Sequence, residues 1–142
     1  MGRCGMTDKP FKLRMATPLE SAEHIALADF LRWKGVLFNH SPNEGRRLPQ
    51  YVAKLKKMGM RTGFPDFFIY EARGPFHGLA IEMKRRHGGT VSDAQLSCLA
   101  ELRLRGYRAE VCRGFDEAVR VVGEYLDGNE RKTKGGDHAD AR

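Results

Sequence analysis

The 142-residue chain carries 25 Lys and Arg against 18 Asp and Glu, a formal charge of +7, and 41% of its residues are hydrophobic. That is enough chain for one domain with a real core, and its charge suits a polyanionic partner. No apolar run approaches the ~18 residues of a membrane span, and the N-terminus lacks the apolar stretch of a signal peptide. Cys4, Cys98 and Cys112 show no CxxC pairing and no histidine stands at zinc-ligand spacing from them. The pattern points away from a membrane protein, a disulfide scaffold and a structural zinc site, and toward reduced thiols inside a cell.

Residues 1–16 are polar and basic and read as a loose arm. Thr17-Pro18-Leu19-Glu20 has the form of a capping box, with threonine as N-cap, proline at the first helical position and glutamate at the third. The helix is predicted to run to about Lys34 and stop at Gly35, with Ala22, Ile25, Ala26, Phe30 and Trp33 as its apolar side. Val36, Leu37 and Phe38 read as a short strand. A second helix is predicted from Pro49 to Gly59, turning Tyr51, Val52, Leu55 and Met58 to the core. Around it, Arg46, Arg47, Lys54, Lys56, Lys57 and Arg61 face only Glu44 in opposite charge, which makes this stretch the candidate for phosphate contacts. Without a substrate the same residues would be a solvated face.

Phe67 to Tyr70 and Leu79 to Ile81 are rich in β-formers and flank a turn-forming stretch, so they read as antiparallel strands. Arg85 and Arg86 extend the positive surface, and Gly88-Gly89 breaks the strand and permits a mobile loop. Ser92 to Arg105 is a third helix with its own box, Ser92 as N-cap and Gln95 three later, and Leu96, Cys98, Leu99 and Leu102 available for packing. Arg108 to Cys112 is a further strand. Asp116 to Leu126 is a last helix with Ala118, Val119, Val122 and Tyr125 apolar. The order predicts a mixed central sheet with helices on its faces. Residues 127–142 are charged and glycine-rich and are predicted to be disordered.

The chemistry concentrates in the strand pair. Gly63-Phe64-Pro65-Asp66 opens the first of these strands and Glu82-Met83-Lys84 continues the second. Residues two apart share a face of a strand, so Glu82 and Lys84 point the same way and the hairpin folds that face beside Asp66. Two carboxylates and an amine at one spot suit Mg²⁺ or Mn²⁺, which use one or two protein carboxylates and keep several waters. The bland alternative is a turn plus a surface ion pair worth ~0 to 1 kcal/mol.

The array Gly63-Phe64-Pro65-Asp66, Ile81-Glu82-Met83-Lys84 and Ser92-Asp93-Ala94-Gln95 resembles the PD-(D/E)XK nuclease superfamily, and within it the VRR-NUC domain. Pro18-Leu19-Glu20, Pro42-Asn43-Glu44-Gly45-Arg46-Arg47 and Gly106-Tyr107 fall in the family's order, so the resemblance covers roughly residues 18 to 126. It implies an α/β, restriction-endonuclease-like sandwich. It also implies a metal-dependent deoxyribonuclease in which Asp66, Glu82 and the Met83 carbonyl hold one Mg²⁺ or Mn²⁺, Glu20 orients a metal-bound water, Lys84 activates the attacking water and Gln95 supports the site. Glu20 resembles the family's first-helix acid, with Glu23 as the substitute should Glu20 only cap. Glu44, where the family more often has a second glycine, bears on substrate preference.

A compact chain of this kind looks like the standalone phage and bacterial members of the family. Their likeness implies a structure-selective DNA endonuclease, foremost a Holliday-junction resolvase acting as a homodimer in the cytoplasm, of the host if phage-encoded. A flap, nicking or restriction-like endonuclease is the alternative within nucleases. A non-catalytic basic DNA-binding module is the alternative outside them. DNA contacts are expected from Arg46, Arg47, Lys54, Lys57, Arg61, Arg85 and Arg86.

Overall fold

The computed structural model describes residues 19–42 and 47–128. Among them the elements run α1 (Glu20–Lys34), β1 (Phe38–His40), α2 (Pro49–Lys57), β2 (Phe67–Ile69), β3 (Leu79–Lys84), α3 (Asp93–Leu104), β4 (Arg108–Arg113) and α4 (Phe115–Leu126). This is the order predicted from the sequence. The basic arm, most of the charged tail, Cys4, Thr17, Pro18 and the segment from Asn43 to Arg46 lie outside the described residues. No described helix is long and apolar enough to cross a membrane.

The strands form one sheet in the order β1-β2-β3-β4. β1 and β2 are antiparallel with His40 opposite Phe67, and β2 and β3 are antiparallel with Phe67 opposite Ile81. β3 and β4 are parallel, Glu82 opposite Val111, and α3 is the crossover between them. β3 is therefore an inner strand, buried on both faces. Leu79, Ile81 and Met83 join Leu27 and Leu31 of α1 and Ala118, Val121, Val122 and Tyr125 of α4 in one core layer. Ala80 joins Cys98, Leu99 and Leu102 of α3 in the other. Glu82 and Lys84 share the alternation of Ala80 and so are presented toward α3.

Several local expectations change. α1 starts at Glu20 after Leu19, with no side-chain cap bond, so Glu20 occupies the first helical position and not the third position a capping box needs. Its buried stripe is Glu23, Leu27 and Leu31, whereas Ile25 is 63% and Trp33 76% exposed. The helix is apolar on several sides, and the faces the sheet and α4 cover were decided by packing. Burying Leu27 and Leu31 contributes roughly 1.5–3 kcal/mol each.

The first strand begins at Phe38 because Gly35 ends α1 in the left-handed region (φ 70), and the Val36 N–H is spent on the Leu31 carbonyl at 3.4 Å. α2 buries none of its residues: Tyr51 and Met58 are exposed where core positions were expected. In α3 the predicted Ser92–Gln95 box is present, Cys98, Leu99 and Leu102 are buried, and Leu96 is exposed. In α4, Val121 takes the fully buried place expected of Val119. Cys98 and Cys112 are free, buried thiols, and burial pushes Cys112 up to about 12.

Candidate active site

The turn from Gly63 to Asp66 and the second half of β3 meet beside the first turn of α3. Asp66 is 5% and Glu82 2% exposed, a costly location for two carboxylates. Asp66 Oδ2 accepts the Met83 backbone N–H at 2.7 Å, which locks the turn to β3, and the Asp66 carbonyl accepts from the Ser41 N–H at 2.7 Å. Glu82 Oε1 receives the Lys84 ammonium at 3.0 Å and the Gln95 amide Nε2 at 2.6 Å. Glu82 Oε2 is buried with no hydrogen-bond partner.

The electrostatics follow from burial and crowding. Burial, then the neighbouring Asp66 charge, pushes Glu82 up to about 7, with the Lys84 hydrogen bond and charge pulling the other way. Asp66 is raised as well, by burial first, against the Met83 N–H and the positive influence of His24 and Lys84. Glu20 adds to the negative potential at Glu82. The site is thus short of positive charge even with Lys84 in it.

Asp66, Glu82, Met83, Lys84 and Gln95 are brought together as the sequence anticipates. Gln95 makes the capping contact and a contact to Glu82 at once, because a carboxamide has two ends. Its Oε1 accepts from the Ser92 N–H at 2.9 Å to close the capping box while its Nε2 donates to Glu82. Glu20 is placed at the rim, its carboxylate 3.4 Å from Arg85. Glu23 points elsewhere: it is 3% exposed and bound to Arg86 at 2.8 Å, at the joint between α1 and α4.

The basic residues divide. Lys54 and Lys57 are exposed on α2. Arg47 donates to the Pro42 carbonyl at 2.9 Å. Arg61 is held by Glu101 at 2.5 Å, and Arg86 is clamped between Glu23 and Asp116. The Arg61 pair is exposed at the surface, whereas that of Arg86 reaches the buried Glu23. Gly89, in the expected loop, has its carbonyl on Arg113 at 2.7 Å. Arg46 lies outside the described residues.

His24 and His40 complete the surroundings and were missed in the sequence. His24 Nδ1 and His40 Nε2 are 3.2 Å apart, and His24 Nε2 is buried 4.0 Å from Asp66 Oδ2. Burial and the neighbouring His24 lower His40 from its ordinary value. The available signal was the spacing of His24 four residues after Glu20, which puts both on one helix face.

The donor set fits a hard divalent cation. Burial raises the proton affinity of both carboxylates, the Asp66 charge raises that of Glu82 further, and one oxygen, Glu82 Oε2, is left without a donor. Among the described residues no three His, Cys, Asp or Glu side chains are placed to share a metal ion, so an all-protein cage is not formed and Glu20 is not drawn into one. Two carboxylates with water completing the shell is the habit of Mg²⁺ and Mn²⁺.

The VRR-NUC domain model matches residues 20–116, which spans every one of these groups. A solved VRR_NUC domain protein is similar over 76% of this chain and 88% of its own, with a TM-score of 0.64 and 29% sequence identity. Among curated proteins there is no match. The family implies a nuclease-type function with DNA as substrate, and by the extent of the match this chain belongs to the VRR-NUC domain family.

Proposed function

We propose that this protein is a Mg²⁺- or Mn²⁺-dependent, structure-selective DNA endonuclease that nicks branched DNA, foremost a four-way junction, as a homodimer. The observation that carries the chemistry is the Glu82 carboxylate, fixed by Lys84 and Gln95 on one oxygen and bare on the other, beside Asp66. Asp66 and Glu82, with the Met83 carbonyl, would hold the cation, which when bound supplies a water of lowered pKa and offsets phosphate charge. Lys84 orients the attacking water and counters charge growing on the phosphate oxygens. Glu20, at the rim, orients a further water, and Gln95 keeps Glu82 from turning away. Water attacks phosphorus directly, the P–O bond to the leaving sugar breaks, and no covalent enzyme intermediate forms. Lys54, Lys57, Arg47 and Arg85 supply the phosphate contacts.

Branched DNA goes with the proposed dimer: a symmetric homodimer would present two sites related by a two-fold axis, matching the two strands that must be nicked to resolve a junction. The test is cleavage of matched four-way junction, flap, single-strand and linear duplex DNA in Mg²⁺ and in Mn²⁺, with Lys84→Ala beside wild type. Paired symmetric nicks in the junction, lost in the variant, are expected. Cutting confined to flaps or to linear duplex would replace the resolvase with a flap, nicking or restriction-like enzyme. Tight binding without cleavage under either metal would leave a basic DNA-binding module.

A further inference from the structure

Asp66 has a second neighbourhood. Between α1 and the paired strands β1 and β2 lies a cavity of about 380 Å³ that Asp66 lines and that Glu82 and Lys84 do not. Its volume falls in the range of sites that take small organic ligands. α1 contributes Ser21, Ile25 and Ala28, and the sheet contributes Phe38, His40 and Phe67.

The walls have a particular chemistry. The His40 and Phe67 rings lie 4.7 Å apart and Phe38 stands 6.3 Å from Phe67, so one side is a bank of aromatic faces. The Arg32 guanidinium, bonded to Asp29 at 2.9 Å, sits 5.9 Å over the Phe38 ring. The opposite wall, from α1, sets Ile25 and Ala28 among the polar Ser21, His24 and Arg32, and Ile25 stays 63% exposed. His24 adds an imidazole ring beside Asp66, its buried Nε2 4.0 Å from Asp66 Oδ2. Aromatic planes, a guanidinium and a few polar edges are the means by which proteins hold unstacked bases.

We propose that this cavity receives a nucleobase swung out of the stack, from a nucleotide adjoining the scissile phosphate. The inference rests on the nuclease reading above. Asp66 belongs to both the cavity and the carboxylate pair, so a phosphate seated at the pair brings an adjoining sugar to the cavity mouth. Taking a base out of a duplex costs stacking and pairing energy, and least where the base is already unpaired or poorly stacked. The cavity therefore gives a physical origin for choosing branch points over continuous duplex.

The experiment uses a branched substrate that the full-length protein cuts, with single abasic sites walked through the nucleotides around the cut. Wild type is compared with Ala28→Phe, which fills the cavity from α1, and with Ser21→Trp, which fills it from an exposed position that folding tolerates. For wild type, with the base at the scanned position left unpaired so that little is given up on leaving the stack, one abasic position next to the cut should weaken binding and slow cleavage by about tenfold, the size of one lost base stack. Both variants should bind intact DNA at the wild-type abasic level and show a flat scan, with unchanged Tm for Ser21→Trp. A flat scan for wild type on DNA it still cuts would overturn the base-holding cavity and leave the nuclease standing. Absence of cleavage with either metal would remove the nuclease reading and the cavity's role together.

Discussion

Gln95 donates from Nε2 to Glu82 Oε1 at 2.6 Å while its Oε1 accepts the Ser92 N–H at 2.9 Å, so one carboxamide both closes the N-terminus of α3 and steers a buried carboxylate. The cap fixes the rotamer, and the rotamer aims the amide. Gln95→Ala should reduce cleavage by tenfold or more and lower stability by about 1 kcal/mol. Gln95→Glu should be worse for cleavage, because a carboxylate would then face Glu82. Ser92→Ala should cost a similar ~1 kcal/mol in stability but leave more activity, since Gln95 keeps its hold on Glu82. Turnover and denaturant melts on the three variants would separate cap from catalysis. Equal activity in all three would dissociate Gln95 from the site.

Lys84 is 3.0 Å from Glu82 and largely covered, so its amine cannot be replaced by solvent. Lys84→Ala should cut the rate by roughly 100-fold or more with DNA affinity changed only a few-fold. Single-turnover kinetics beside a binding isotherm would check this. A matching loss of affinity would make Lys84 a phosphate anchor instead.

The pH behaviour follows from Glu82, raised from 4.5 to about 7. Between those values the folded protein keeps a proton that the unfolded chain has released, so metal-free stability increases as pH falls through 7, and the cost of the buried charge is in full force above it. His40 works oppositely below its ordinary 6.5, because its lowered pKa favours the neutral ring. The metal-free protein should therefore gain Tm between pH 8 and 6.5 and level off below, where the opposite proton uptake of His40 offsets that of Glu82. Binding of Mn²⁺ must displace that proton, so its affinity should rise with pH through 7, with proton release visible by calorimetry in buffers of different ionisation heat. Metal affinity flat between pH 6 and 8 would contradict a protonated Glu82.

Gly63 sits at φ 88, and a Cβ there would stand 2.6 Å from the Ala94 backbone carbonyl carbon and oxygen and 2.9 Å from the Gln95 nitrogen. Those atoms are helix backbone and cannot step aside. Gly63→Ala should therefore destabilise by more than 1 kcal/mol and push the Asp66 turn away from α3. A melt and a cleavage assay should both register it. An unchanged pair of measurements would mean the turn has slack that the backbone geometry denies.

Arg86 and Lys57 should behave as opposites although both are basic residues near the site. Arg86→Ala leaves Glu23 buried without its cation and should lower Tm with little change in the salt dependence of DNA binding. Lys57→Ala should leave Tm alone, weaken DNA binding for all sequences and reduce the salt slope by about one.

Much of the site was legible because its parts are close in sequence. The Gly63 to Asp66 turn, the Glu82-Met83-Lys84 alternation and the Ser92–Gln95 box each follow from spacing rules that act within a few residues. The hairpin then needs only β2 and β3 to pair, which their composition favours.

What the chain by itself determined was thus the order of elements, the mixed sheet, the meeting of Asp66 with Glu82 and Lys84 across the hairpin and the Ser92–Gln95 cap, all consequences of local backbone geometry and period-two or capping patterns; that Gln95 reaches Glu82 was implied only by the family resemblance. Tertiary packing decided the rest. It chose Leu27 and Leu31 over Ile25 and Trp33 as the core stripe of α1, because that helix is apolar on several sides and only the covering sheet and α4 break the tie. It turned Glu23 to Arg86 and left Glu20 at the rim, a choice that depends on α4. It also carried His24 and His40 to Asp66, a meeting of α1, β1 and the β2 turn that no local spacing rule encodes, since it arises only when the three are packed together.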